Sequence, residues 1–192
     1  MRIVGKRLVL RDEPCPRDAE DLFRWLSLED WNYYDEPDAP FQPLSREEFE
    51  RTRSTPHAPV AGSRRCQIDT LEGRHIGWVN SYQFDEQAGS IYVGIDLPEP
   101  DTRVHGYGSE ALGLWVDDLF RDGRLNEIRL RTRTGNRRMR RAAEKSGFKE
   151  MGHSPHRVEF SVRGEPLEFV EYAISCADWW ARRNEVDTAR QI

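Results

Sequence analysis

Arg103-Val104-His105-Gly106-Tyr107-Gly108-Ser109-Glu110-Ala111 decides how this chain folds, because it carries a strand into a helix across two glycines. Upstream, residues 90–97 read as a strand. Downstream, Ala111, Leu112, Trp115, Val116, Leu119 and Phe120 recur at the spacing of one apolar helix face. The glycines therefore open a helix, where the first turn leaves main-chain N–H groups without partners and the helix dipole adds positive charge. A phosphate can be held there by the main chain, and glycine lets that chain come close. Taken alone, the loop fits a plain tight turn equally well. It lacks the Gly-Lys-Ser/Thr ending of a P-loop, and it does not open the parallel βαβ unit that a dinucleotide fingerprint requires.

Residues 7–11 read as a first strand and residues 17–28, with Ala19, Leu22, Phe23 and Leu26 on one face, as a helix. An acidic, proline-marked loop runs from 29 to 43, after which Ser45 and Glu48 form a capping box that opens a second helix. Strands at 65–70, 76–84 and 90–97, joined by short turns, make an antiparallel meander. After the long helix, residues 126–134 alternate Ile128, Leu130 and Thr132 with Arg129, Arg131 and Arg133, a strand with one face in the core. Residues 136–146 form a helix ended by Gly147. Two strands follow around Arg163-Gly164-Glu165, then a short helix with Trp179 and Trp180. Two strand-helix-strand crossovers after a meander predict an α+β fold with a mixed, mostly antiparallel sheet, in a single domain over residues 1–192.

The net charge of −5 argues against a nucleic-acid partner. The arginines between 129 and 141 do not alter this, since no stacking aromatics interleave with them. Cys15, Cys66 and Cys176 are odd in number and far apart, so no disulfide framework or metal site is expected and a reducing cytoplasm fits. No apolar run approaches the roughly 18 residues that span a bilayer, so no membrane segment is expected.

Arg103-x-x-Gly106-x-Gly108, followed one strand later by Asn136 and by Glu144-Lys145-Ser146-Gly147-Phe148, resembles the GNAT superfamily of N-acetyltransferases. The spacing from Asn136 to Phe148, the Gly77-Trp78 strand and the Gly164-Glu165 hairpin look most like the RimJ/RimL-like branch, which acetylates protein N-termini and assorted small amines. The resemblance covers roughly residues 5–180. It implies an α/β/α fold whose sheet, flanked by helices, splits near an acetyl-CoA site. The pyrophosphate of that cosubstrate would rest on the amides of Val104, His105, Gly106, Tyr107, Gly108 and Ser109, with Arg103 supplying charge. The pantetheine arm would lie along Ile95 to Leu97 like an added strand, Asn136 would reach it, and Arg141 would approach the phosphates. Asn136 suits a helix N-cap just as well, and Gly94 fits either a bulge or a close-packed glycine. A homodimer accords with families of this shape.

The reaction implied is direct attack on a thioester by a primary amine, whether a protein N-terminus, polyamine, aminoglycoside or other small amine. GNAT enzymes often carry a Tyr four residues before the helix-ending glycine, which is Ala143 here, and the branch often has a Ser where this chain has Met139. Water, or a group from the late hairpin such as Tyr172, is left as the proton donor. For the base, the branch often places a Glu where this chain has Tyr92, and Asp96 is the nearest ionisable residue, though it also suits a strand-end Asp organising the following turn. Asn80 interrupts an apolar strand and is a candidate for the acceptor groove. The run 29–38, with Trp31, Tyr33, Tyr34 and Asp35, stands where the family builds its acceptor wall; carboxylates with aromatic faces suit a cationic amine, and also suit a solvated loop pinned by its aromatics. An acyl-CoA-binding sensor without turnover is the alternative to an enzyme, resting on Met139 and Ala143.

Overall fold

The computed structural model describes residues 1–28, 31, 33, 37–54, 62–103 and 105–189. Its elements are β1 (Arg2–Val4), β2 (Leu8–Arg11), α1 (Pro16–Leu26), α2 (Arg46–Ser54), β3 (Arg64–Thr70), β4 (His75–Asp85), β5 (Ser90–Asp96), α3 (Tyr107–Arg121), β6 (Glu127–Arg133), α4 (Arg137–Lys145), β7 (Lys149–Phe160), β8 (Pro166–Ser175) and α5 (Cys176–Ala189). One sheet runs β1-β2-β3-β4-β5-β6-β8-β7. β5 and β6 are parallel, and every other neighbouring pair is antiparallel. The α+β class and mixed sheet expected from the sequence are therefore present. β1 was not anticipated, and α5 is a full helix rather than a short one around Trp179 and Trp180. No helix among the described residues is long and apolar enough to cross a membrane.

Two apolar clusters lie on opposite faces of the sheet. Leu8, Ile68, Val79, Ile91, Val93, Ile128 and Leu130 point one way and bury against Trp115, Val116 and Leu119 of α3. This follows from alternation along each strand and from the apolar stripe of α3. On the other face Trp25 of α1 and Trp31 pack on Trp78, with ring centroids 5.8 and 5.7 Å from it. The tryptophans hold α1 and the segment after it against the same side of β4 that carries Asn80 and Tyr82.

The β5–β6 ladder holds only from Ser90↔Glu127 to Tyr92↔Arg129. Beyond that pair the two strands part, and residues 93–96 and 130–133 form the arms of a fork. Gly94 makes no bulge: the β4–β5 register is regular through Asn80↔Gly94 and shifts only past Tyr82, near Gln83, whose φ is 53°. Gly94 is instead closely packed. A β-carbon there would come within 2.4 Å of Asn80 Oδ1, so only glycine leaves room for the asparagine.

Candidate active site

A cleft of about 430 Å³ opens at the fork. Ile95, Asp96 and Leu97 form one wall, Gly106, Gly108 and Ser109 the floor, and Asn136, Met139 and Ala142 of α4 the other wall. Arg103, Arg138, Arg141 and Lys145 make its rim, and Trp31 closes one end.

The floor is built as the sequence predicts. Gly106 caps α3 with a φ of 81°, a left-handed conformation that glycine adopts without steric cost. The N–H groups of the next residues open the helix without intrahelical carbonyl partners, the arrangement that suits an anion. Glu110, in that first turn, would repel an anion, but its carboxylate is turned back. It accepts from the Arg7 backbone N–H at 2.8 Å and from Arg7 Nε at 2.9 Å. Burial raises the Glu110 pKa, yet these contacts outweigh it and hold the carboxyl below its ordinary range. Arg7 also donates from Nη1 to the His105 carbonyl at 2.6 Å, fixing the turn from outside the cleft.

Several expected cofactor residues have a second task. Arg103 donates from Nε to the Leu97 carbonyl at 3.1 Å and from its terminal nitrogen to the Pro98 carbonyl, bracing the end of β5 against the glycine turn. Asn136 lines the cleft and also caps α4, Oδ1 accepting from the Met139 N–H at 3.2 Å. His105 and Tyr107 line a separate hollow of about 300 Å³ with Thr70, Arg74 and Thr102, and neither is among the residues that line the cleft. Arg141 lies on the rim beside Arg138 and Lys145, which the sequence reading did not select. The spacing of 138, 141 and 145 on one helix face was the available signal. Val104, Tyr34 and Asp35 lie outside the described residues.

On the opposite face of the fork, Asp96 Oδ1 accepts from Trp31 Nε1 at 3.4 Å. Tyr92 stacks on Tyr82 with centroids 5.8 Å apart, and its hydroxyl donates to Glu171 at 3.1 Å. Asn80 Oδ1 is buried without a hydrogen-bond partner among the described residues. It lies against Gly94, in the space that a β-carbon there would fill. Tyr33 donates to Ser161 Oγ at 3.0 Å, and the guanidinium groups of Arg133 and Arg163 lie 5.0 and 4.0 Å from its ring centre. That residue ties its segment to the turn between β7 and β8.

Asp96, Tyr92, Asn80 and Trp31 are thus gathered on one side of the fork. Tyr172 is not among them. It is buried beside α4, where its hydroxyl accepts from Arg140 Nε at 3.1 Å and donates to Glu144 at 3.2 Å. The parity of β8 explains this, since Tyr172 alternates with the outward Glu171 and faces the helical layer. Tyr82 was overlooked. Its register opposite Tyr92 puts it on the acceptor side, where its hydroxyl has no hydrogen-bond partner among the described residues. Burial pushes its pKa up, against the charge of Arg131, while Tyr92, Asp96 and Glu171 push the same way as burial.

A parted parallel strand pair, a glycine-capped helix start and a cationic rim meet at this one cleft. Residues 7–149 match the family model for the acetyltransferase (GNAT) domain, and the chain belongs to that family. A search of curated proteins gave no match. Among solved structures, spermidine N-acetyltransferase from Vibrio cholerae in complex with CoA and spermine is similar at a TM-score of 0.74 and 20% identity, over 92% of this chain and 99% of that one. RimL, a ribosomal L7/L12 alpha-N-protein acetyltransferase in complex with CoA, is similar at 0.70 and 17%, over 90% and 96%. The microcin C7 self-immunity acetyltransferase MccE, in complex with acetyl-CoA and AMP, is similar at 0.66 and 14%, over 89% and 93%.

Proposed function

We propose that this chain is an acetyl-CoA-dependent N-acetyltransferase of the RimJ/RimL-like branch, acetylating a primary amine by direct attack. The observation that carries the reading is the meeting, at one fork, of the α3 N-terminus with Arg103, Arg138, Arg141 and Lys145. In a chain of net charge −5, four cations on one rim suit the phosphates of CoA. The apolar faces of Ile95, Leu97, Met139 and Ala142 suit its pantetheine arm, and the β5 main chain beyond Tyr92 offers that arm N–H and C=O groups. Bound there, acetyl-CoA supplies an activated acetyl thioester.

The amine arrives protonated and must lose a proton, while the departing thiolate must gain one. Asp96, held by Trp31 on the cleft wall, takes the ammonium proton. A main-chain N–H at the end of β5 polarises the carbonyl, which needs no special side chain. For the proton returned to sulfur, Tyr82 replaces Tyr172 as the candidate side chain, because the Tyr172 hydroxyl is engaged with Glu144, as the Tyr92 hydroxyl is with Glu171. The free thiols Cys15, Cys66 and Cys176 support a reducing cytoplasmic setting.

One observation favours a second reading, a sensor that binds acyl-CoA without turnover: Ala143 is fully buried and Met139 lines the cleft, so α4 presents no acid there. Thiol release from acetyl-CoA with a panel of amines, measured beside thermal stabilisation by CoA alone, separates the two. Stabilisation with thiol release supports the transferase; stabilisation without release from any amine supports the sensor.

A further inference from the structure

The three outward arginines of β6 differ in their commitments. Arg129 is paired with Glu127 at 2.6 Å. Arg133 is buried and donates to the Tyr33 carbonyl at 3.0 Å. Arg131, between them, is exposed and has no carboxylate within ion-pair distance among the described residues. Its cross-strand neighbour Glu171 is the ordinary partner for it. Glu171 turns instead to the Tyr92 hydroxyl, and the Arg131 guanidinium lies over the Phe169 ring, 4.8 Å from its centre. A guanidinium stacked on an aromatic face keeps its fork of donors oriented for a planar or tetrahedral anion, and among the described residues no carboxylate takes that place.

The position of that guanidinium is what gives it a function. Arg131 is two residues beyond the last paired residue of β6, and Asp96 four beyond the last of β5, so the two are offset by about 7 Å along the strand direction, on arms that also part sideways. One arm of the fork thus presents a carboxylate with aromatic rings, the other an arginine, and the charges of both reach Tyr82 on β4, the strand beyond β5. A simple polyamine would satisfy the first arm and be repelled by the second.

We propose that Arg131 is an anion site in the acceptor groove, and that the preferred acceptor is a primary amine carrying a carboxylate or phosphate a few atoms from its nitrogen. This rests on the transferase reading above and adds a second charge to it. Asp96 meets the amine, and Arg131 meets the acid group.

The test uses matched amines. Alanyl-aspartate and alanyl-asparagine, both C-amidated, isolate the carboxylate; O-phosphoethanolamine and ethanolamine isolate the phosphate. In the wild-type protein one acidic member should have a KM about tenfold below that of its neutral counterpart, the scale of one charge-assisted contact. Arg131→Gln should remove that preference with little change in kcat, and Arg131→Lys should restore part of it. Spermidine should be a poorer acceptor than the favoured acidic amine and should improve in Arg131→Gln. Thermal stabilisation of the CoA-loaded protein by the same probes reads binding when nothing turns over. Equal KM and equal stabilisation within both pairs, or a preference that survives Arg131→Gln, overturns the anion site while leaving the transferase intact. Thiol release from no amine, with the acidic probe still stabilising the wild type alone, overturns the transferase and keeps the site.

Discussion

Asn80 Oδ1 occupies the space that a side chain on Gly94 would need, 2.4 Å from where its β-carbon would lie. The pair sits where β5 has just left β6, so one glycine keeps both the register of β4 and the shape of the fork. Gly94→Ala should cost about 1–3 kcal/mol, as overpacked sites do, read from urea unfolding. Adding Asn80→Ala should recover much of that loss, because the clash is between these two residues. Equal destabilisation with and without Asn80 would show that backbone conformation, not the contact, requires glycine there.

Arg141 and Lys145 lie on the cleft rim and have no ion-pair partner among the described residues. Replacing either with Ala should raise the KM for acetyl-CoA up to about tenfold and leave kcat near its starting value. The wild-type affinity should fall with added salt, less steeply in each variant. Titration calorimetry with CoA at two ionic strengths checks this.

The two tyrosines should behave oppositely. Burial keeps Tyr82 protonated through the neutral range beside the fork, so Tyr82→Phe should lower kcat by roughly 10²-fold if it returns the proton. Tyr172→Phe removes hydroxyl contacts with Arg140 and Glu144 on the far face and should lower stability with little effect on kcat. Steady-state rates for both variants, beside their melting temperatures, decide the assignment.

Burial pushes the Cys66 thiol up to about 11, so it stays neutral and inert at pH 8, whereas Cys15 and Cys176 are half-buried. A thiol reagent should therefore label Cys15 and Cys176 in the native protein and Cys66 only after unfolding. Rapid native labelling of Cys66 would contradict the packing of β3.

Acid should weaken the fold through Asp18. Burial raises its pKa, but two bonds from Arg11 and one from the Cys15 N–H outweigh this and hold the carboxyl below its ordinary range. A depressed folded pKa contributes stability above the unfolded value and loses it as pH falls through the folded one. Arg11→Gln should therefore move the acid-unfolding midpoint upward, followed by circular dichroism.

The glycine turn, the helix faces and the strand alternation were legible because each is local: a period of two or 3.6, or a cap residue, is written in neighbouring positions. The fork was legible only through resemblance. Nothing between 90 and 97 says where β5 leaves β6, since that depends on pairing with a strand some thirty-five residues later in the chain. The acceptor side was the least legible. Tyr82 looked like one more apolar residue of β4 until its register against Tyr92 was known, and Tyr172 looked available until the parity of β8 turned it toward α4. Arg129, Arg131 and Arg133 were indistinguishable in the sequence, and only their partners separate them.

The most direct test of the account is mass-spectrometric detection of acetylated amine after incubation with acetyl-CoA, quantified against released thiol. The two products should appear in equal amounts with at least one primary amine, and neither above background when the amine is omitted. Tight CoA binding with no acetylated product from any amine would contradict it.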